Sequence, residues 1–331
     1  MEHDFPVNVT IRLANSPVLD LQPAPASFES LEQEAITAYR LAPPLRFTFQ
    51  DMDGVSHLVS SAASYTAALG KCSLQGLLLT LQESESSGTH VAAVNAEEGQ
   101  LVSYQVQSKV TKRFQLPFLN ESCRVVVCPK SILITGCSSD FRQCYDVTLS
   151  GEVQTRAPLP AGRKYHTMCI VQGSVHLACG TNLEHVPSNS ALVLRDQWTP
   201  LTSLFVGRSA ASSVEVQGTW YVLGGWRPGQ RDWENLNSVE MFQLGTWSLL
   251  PYFLPQPGRL LGLAYLGDRQ ILVCGVRAYE LNLSTGESVR RAASGGQSFR
   301  SSGLRDQDSV YLLNESRLWT YSITRDAWTS S

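Results

Sequence analysis

The stretch "GTWYVLGGW", residues 218–226, is an apolar run that ends on a glycine doublet, Gly224 and Gly225. Two readings compete for it: a loop that cradles phosphate, or one beat of a repeat. A phosphate loop needs Lys and Ser/Thr after its glycines and a helix beyond them. "GGWRPGQRDWENLN" follows instead. The repeat reading requires the same ending elsewhere, and it is there. "SILITGC" ends on Gly136 and Cys137, "VHLACG" on Cys179 and Gly180, and "ILVCG" on Cys274 and Gly275. "HVAAVN" (Asn95) and "VYLLNE" (Asn314, Glu315) are degenerate copies. Positions 95, 137, 180, 225, 275 and 315 are separated by 42, 43, 45, 50 and 40 residues, within the range of propeller blades.

Two further beats share the period. An arginine opens the strand before each run: Arg124 in "SCRVVVC", Arg163 in "AGRKYHTM", Arg208 in "VGRSAASS", Arg259 in "PGRLLGLA" and Arg300 in "SFRSSGL". An aromatic follows in the last strand of several units: Trp198, Trp247 and Trp328, with Phe114 standing in once and Val153 and Val289 in the remaining two. Each unit therefore reads as four short strands, a to d, with turn residues between them. Small residues end strand b because inner strands crowd toward an axis, and glycine permits close backbone approach. The strand-d aromatic fills the wider space between blades.

The three beats together resemble the kelch repeat over roughly residues 88–331. Six blades are counted. The first, "THVAAVNAEEGQLVSYQVQSKVTKRFQLP", supplies strands b, c and d only. A segment near 76–82 or the C-terminal end is expected to complete it, unless the blade has three strands.

Residues before 85 do not share the period. Strands are read at 7–13, 17–21, 45–51, 56–60 and 76–83. Helices are read at 27–41, with Ser27 as N-cap and Leu31, Ala35, Ile36 and Tyr39 on the apolar face, and at 61–70, ending at Gly70. "DMDG", 51–54, is a turn. That order is a ubiquitin-like β-grasp, and "NVTIR", "FTFQDMDG" and "SYTAAL" make the segment resemble PB1 domains. The resemblance implies electrostatic pairing, with Arg12 in place of the family's basic residue and Asp51 and Asp53 where its acidic loop begins. An arginine grips carboxylates bidentately, so it is a workable substitute. Val55 and "SAAS" depart from the acidic pattern, which favours a one-sided binder or a domain that no longer pairs.

The fold expected is mostly β: a PB1-like β-grasp domain over 5–85, the polar stretch "ESESSG", and a six-bladed kelch-type propeller over 86–331. The chain has 331 residues, a net charge of −3, 17% charged and 43% apolar residues, as a soluble globular protein has. The acidic balance argues against nucleic acid as partner. No apolar run reaches about 18 residues, and the N-terminus has no apolar signal region, so a cytoplasmic protein without membrane contact is expected. Eight cysteines then read as thiols.

The site expectation rests on the arginines. Five at one blade position, Arg124, Arg163, Arg208, Arg259 and Arg300, would converge on the face where the central pocket opens. In kelch receptors arginines so placed contact acidic motifs, and the resemblance carries this to Arg163, Arg208 and Arg259. Tyr165, His166, Ser209 and Ser301 are polar neighbours. The plainer reading pairs each arginine with an acid on the next blade. Cys123, Cys128, Cys137 and Cys144 lack zinc spacing, so neither metal nor cofactor is expected. Cys137, Cys179 and Cys274 read as small apolar residues near the axis, or else as a redox-sensing cluster. No catalytic motif is present, and His166 with Cys169 makes a poor nucleophile–base pair. The expectation is a non-enzymatic adaptor. Its propeller binds acidic or phosphorylated protein segments, and its PB1-like domain docks on a scaffold or on another PB1 domain. A ubiquitin-ligase substrate receptor and a kelch-class enzyme acting on a sugar are the alternatives.

Overall fold

The computed structural model describes residues 90–331 apart from 230–232, 294, 296–297, 300–301 and 315–316, and the backbone of five strands before them. The chain divides into two compact units, Met1–Ser87 and Gly88–Ser331.

In the first unit β1 (Val9–Arg12), β2 (Leu19–Leu21), β3 (Arg46–Gln50), β4 (Ser56–Val59) and β5 (Leu77–Gln82) form one sheet in the order β2-β1-β5-β3-β4. β1 runs parallel to β5, with Arg12 opposite Thr80, and the other pairs are antiparallel. The helices expected at 27–41 and 61–70, and Asp51 and Asp53, lie outside the described residues.

The second unit is a six-bladed β-propeller. Blade 1 holds β6 (His90–Asn95), β7 (Gln100–Gln105) and β8 (Val110–Gln115). Blade 2 holds β9 (Arg124–Val127), β10 (Ser131–Cys137), β11 (Gln143–Thr148) and β12 (Val153–Arg156). Blade 3 holds β13 (Thr167–Val171), β14 (Ser174–Ala178), β15 (Ala191–Leu194) and β16 (Trp198–Pro200). Blade 4 begins with β17 (Ser212–Val216) and β18 (Thr219–Leu223). A hairpin of β19 (Trp226–Pro228) and β20 (Trp233–Asn235) follows, then β21 (Ser238–Gln243) and β22 (Thr246–Phe253). Blade 5 holds β23 (Gly262–Gly267), β24 (Gln270–Cys274), β25 (Ala278–Asn282) and β26 (Ser288–Arg291). Blade 6 holds β27 (Leu304–Asp306), β28 (Ser309–Leu313), β29 (Leu318–Ser322) and β30 (Ala327–Ser330).

Blade 1 has three strands among the described residues. Neither expected donor joins it: β5 pairs with β1 and β3, and β30 completes blade 6. The ring closes by packing instead. β6 lies between β9 and β28, and Val91, Ala93, Val102 and Tyr104 bury against Leu313 and Leu318.

Each boundary between neighbouring blades holds one apolar cluster, and strand parity builds it. Successive side chains of a strand point to opposite faces, so a strand sandwiched between blades is apolar at every position. Trp220 and Val222 of β18 face blade 3, while Tyr221 and Leu223 face blade 5. Ile271 and Val273 of β24 face blade 4, while Leu272 and Cys274 face blade 6. This is why "TWYVL" is an unbroken apolar run rather than an alternating one.

The outer strands are held by tryptophans. The indole N–H of Trp198 donates to the Ala157 carbonyl at 3.0 Å, that of Trp247 to Thr202 at 2.9 Å, and that of Trp328 to Ala292 at 2.7 Å. Each acceptor lies just past the last strand of the preceding blade. The ring fills the inter-blade space and its polar edge ties down the connection. Among the described residues no helix is long and apolar enough to cross a membrane.

Candidate functional site

The glycine doublet sets how one blade meets the next. Gly224 and Gly225 have φ of +60° and +94°, conformations glycine adopts freely. A Cβ on Gly224 would lie 2.3 Å from the Gly258 carbonyl oxygen, and one on Gly225 2.7 Å from that of Ser209. The Gly225 N–H donates to the Gly258 carbonyl at 2.8 Å, as the Gly180 N–H donates to that of Arg208 at 2.9 Å. Beside these contacts, Tyr165, Ala210 and Leu260 enter their blades with φ of 55°, 52° and 49°. They form a hydrogen-bonded chain around the axis: Ala210 N–H to Tyr165 carbonyl, Leu260 N–H to Ala210, and Phe299 N–H to Leu260, at 2.8 to 2.9 Å.

These bonds give a register for the arginines, and the five are not at one position. Arg163 and Arg208 each lie two residues before the left-handed residue of their blade. Arg259 lies one residue before Leu260, so Gly258 takes the place that Arg208 holds in blade 4. Arg124 is inside β9, opposite Thr135. Arg300 lies outside the described residues.

Position decides fate. Arg208 is completely buried and ion-paired at 2.5 Å with Glu240, equally buried, on β21 of its own blade rather than on the next. Its guanidinium also donates to the Gly224 and Ser238 carbonyls at 3.0 and 3.1 Å and to the Ser238 hydroxyl at 3.1 Å. The other Glu240 oxygen accepts the Phe205 N–H at 2.7 Å. Nothing remains to grip a ligand. Arg163 repeats part of this, donating to the Cys179 carbonyl at 3.1 Å and the Ser190 hydroxyl at 2.9 Å. Ser190 matches Ser238, but Leu192 stands where blade 4 has Glu240. Arg163 is therefore a buried cation without a carboxylate among the described residues, and burial lowers its pKa. Arg124 is buried too, donating to the Glu121 and Cys123 carbonyls at 3.1 and 2.8 Å.

Arg259 differs. It is exposed, and its guanidinium lies 4.5 Å from the centre of the Trp226 ring, a cation–π contact. Trp226 packs against Trp233 with the rings tilted by 34° and 4.6 Å between centroids. β19 and β20 pair antiparallel and carry one indole each, with an Arg227–Glu234 ion pair at 2.5 Å between the two strands. A cavity of about 570 Å³ opens here, lined by Tyr165, His185, Trp226, Trp233, Arg259 and Leu260 among others. A second of about 260 Å³ shares Arg259 and Ser298 and adds Gln256, Val276 and Arg277. The described lining of both contains two arginines, one histidine and no carboxylate. Leu183, Val186, Trp233 and Val276, from the b–c connections of blades 3 to 5, are exposed, and Trp233 and Val276 line these cavities.

Both of these ligand-sized cavities are off-axis, over blades 3 to 5. One cavity among the described residues at the axis, lined by Arg124, His166, Ser213 and Phe299, measures about 20 Å³, room for about one water. His166 is fully buried, 2.6 Å from the Thr135 hydroxyl, and burial together with Arg124 and Arg163 holds its pKa well below the usual imidazole value. Ser209 is buried, and Ser301 is outside the described residues. Tyr165 joins the cavity while its hydroxyl donates to Glu121 at 3.0 Å. No group of three or more His, Cys, Asp or Glu is placed to hold a metal among the described residues. The Trp226–Trp233 pair was readable in principle: two tryptophans flanking Pro-Gly signal a hairpin with aromatics on one face.

No family model matches the chain, and no curated protein matches it. Among solved structures, that of YjhT is 15% identical with a TM-score of 0.44. The match covers 52% of this chain and 66% of that one, just under two thirds of its length.

Proposed function

We propose that the protein is a non-enzymatic interaction adaptor whose kelch-type propeller binds an acidic or phosphorylated protein segment on the face of Arg259. The observation that carries this reading is the charge of the paired cavities: Arg259 stands beside the aromatic wall of one and Arg277 lines the other, with no carboxylate in the described lining of either. An exposed guanidinium stacked on an indole is held in place while its N–H donors stay available for a carboxylate or phosphate. The indole pair and Leu260 accept an apolar side chain next to the acidic one, and the exposed apolar residues around the rim supply contact area. The sheet order β2-β1-β5-β3-β4, with its central parallel pair, supports a PB1-like β-grasp in the first unit. There Arg12 would dock on a scaffold or on another PB1 domain.

The test is affinity-purification mass spectrometry of the full chain beside an Arg259→Ala/Arg277→Ala variant of unchanged melting temperature. Partners carrying acidic motifs should be lost from the variant, and a purified one should bind more weakly as salt rises. An unchanged partner list overturns the reading and moves attention to Arg12→Ala.

A further inference from the structure

We propose that Cys123 and Cys137 are an oxidisable pair that a small peroxide converts to a disulfide inside blade 2. Their sulfurs share an S–H···S hydrogen bond at 3.2 Å, both free and both buried. The fold brings them together. β9 and β10 run antiparallel with Arg124 opposite Thr135, so Cys123, just before β9, and Cys137, at the end of β10, meet past the last register pair. A disulfide needs about 2.05 Å between sulfurs, so they must close by roughly 1 Å. The strand is irregular between Thr135 and Cys137, and Gly136 there has φ of +77°.

The two thiols are not equivalent. Cys123 accepts the Asn120 N–H at 3.3 Å and has Arg124 as its chain neighbour. The hydrogen bond with Cys137, that N–H and the guanidinium favour its thiolate, and the same bond pushes the Cys137 thiol up. Cys123 is therefore the sulfur that attacks. Its thiolate takes one oxygen of hydrogen peroxide. An S–O bond forms, the O–O bond breaks, and the departing hydroxide is protonated to water. The Cys137 sulfur then displaces hydroxide from the sulfenic acid, forming the S–S bond, and its thiol proton leaves with that hydroxide as a second water. Two electrons pass from the thiols to the peroxide. Because both sulfurs are buried, a bulky oxidant such as oxidised glutathione cannot reach them.

Trypsin places the cysteines of blade 2 on separate peptides: Cys123 on 114–124, Cys128 on 125–130, Cys137 on 131–142 and Cys144 on 143–156. The full chain would be reduced, freed of reductant, exposed to hydrogen peroxide, alkylated and digested. The expected product is 114–124 linked to 131–142, with 125–130 and 143–156 alkylated and the melting temperature raised by a few degrees. Oxidised glutathione should give none of it. In Cys137→Ser, dimedone added with denaturant after the peroxide should label Cys123 instead. Alkylation of both cysteines after peroxide, or linkage to Cys144, overturns the proposal, and the wild-type digest decides it even if the variant does not fold.

Discussion

Blades 4 and 5 begin with the same dipeptide, Gly207-Arg208 and Gly258-Arg259, and use it in opposite ways. Arg208 is welded into its blade by Glu240, Ser238 and the Gly224 carbonyl. Arg259 lies in solvent over Trp226. The cause is one residue. Blade 4 has Ser209 between its arginine and the left-handed Ala210, whereas blade 5 passes straight from Arg259 to Leu260. In blade 5 the inward position falls on Gly258, which has no side chain. Tyr279 stands where blade 4 has Glu240, and Glu280, on the opposite face of its strand, pairs with Arg291 on the neighbouring strand at 2.8 Å. Asp146 and Arg156 form the same strand-c to strand-d pair in blade 2. A single deletion thus turns a structural cation into an available one.

The comparison can be broken most forcefully at its buried end. Glu240→Leu strands the Arg208 charge in the interior and should cost about 3–5 kcal/mol in urea unfolding. The double change Arg208→Met/Glu240→Leu should regain much of that. If the single change is mild, the pair is not what holds blade 4. The doublets give the next test. Gly224→Ala combines a positive φ with a carbonyl 2.3 Å away and should cost more than about 1 kcal/mol. Gly275→Ala meets the mobile end of Leu261 at 2.8 Å and should cost less. Equal losses would mean that blade 5 is as tightly seated as blade 4.

The unpaired cation of blade 3 should appear in the pH dependence. His166 is neutral in the fold, where burial first and then Arg124 and Arg163 oppose its charging. In the unfolded chain it takes a proton near pH 6.5, so the unfolded state binds more protons in acid. Stability should fall as pH drops below about 6.5, by up to ~1.4 kcal/mol per pH unit. Chemical unfolding at a series of pH values should show this slope flattened in His166→Asn. The smallest effect is expected at Arg259. Arg259→Ala should change stability by less than about 0.5 kcal/mol, read as a nearly constant melting temperature. A large loss would make Arg259 as structural as Arg208.

The repeat was legible because it is written in residue types with local reasons. Gly224 and Gly225 mark close backbone approach, Trp247 marks an inter-blade space, and "WYVL" marks a strand buried on both faces. A run buried on both sides cannot hide its composition. The arginine ring was not legible in the same way. Its residues recur at nearly the same spacing, but whether a side chain points inward depends on the count of residues to the left-handed turn, and whether it finds an acid depends on whether the strand-c residue is Glu240, Leu192 or Tyr279. Those are separated from the arginine by twenty to about thirty residues of chain, and only the register joins them.

By itself, then, the sequence determined six blades, their boundaries and the residues that fill the spaces between them, because periodic burial leaves a periodic composition. Tertiary structure alone decided that Arg259 is exposed while Arg208 is buried, that blade 1 closes on blade 6 by packing, that Cys123 meets Cys137, and that a ligand-sized cavity opens over Trp226 and Trp233. Each of these depends on distances between segments far apart in the chain, and a shift of one residue is enough to reverse which side of a strand a side chain occupies.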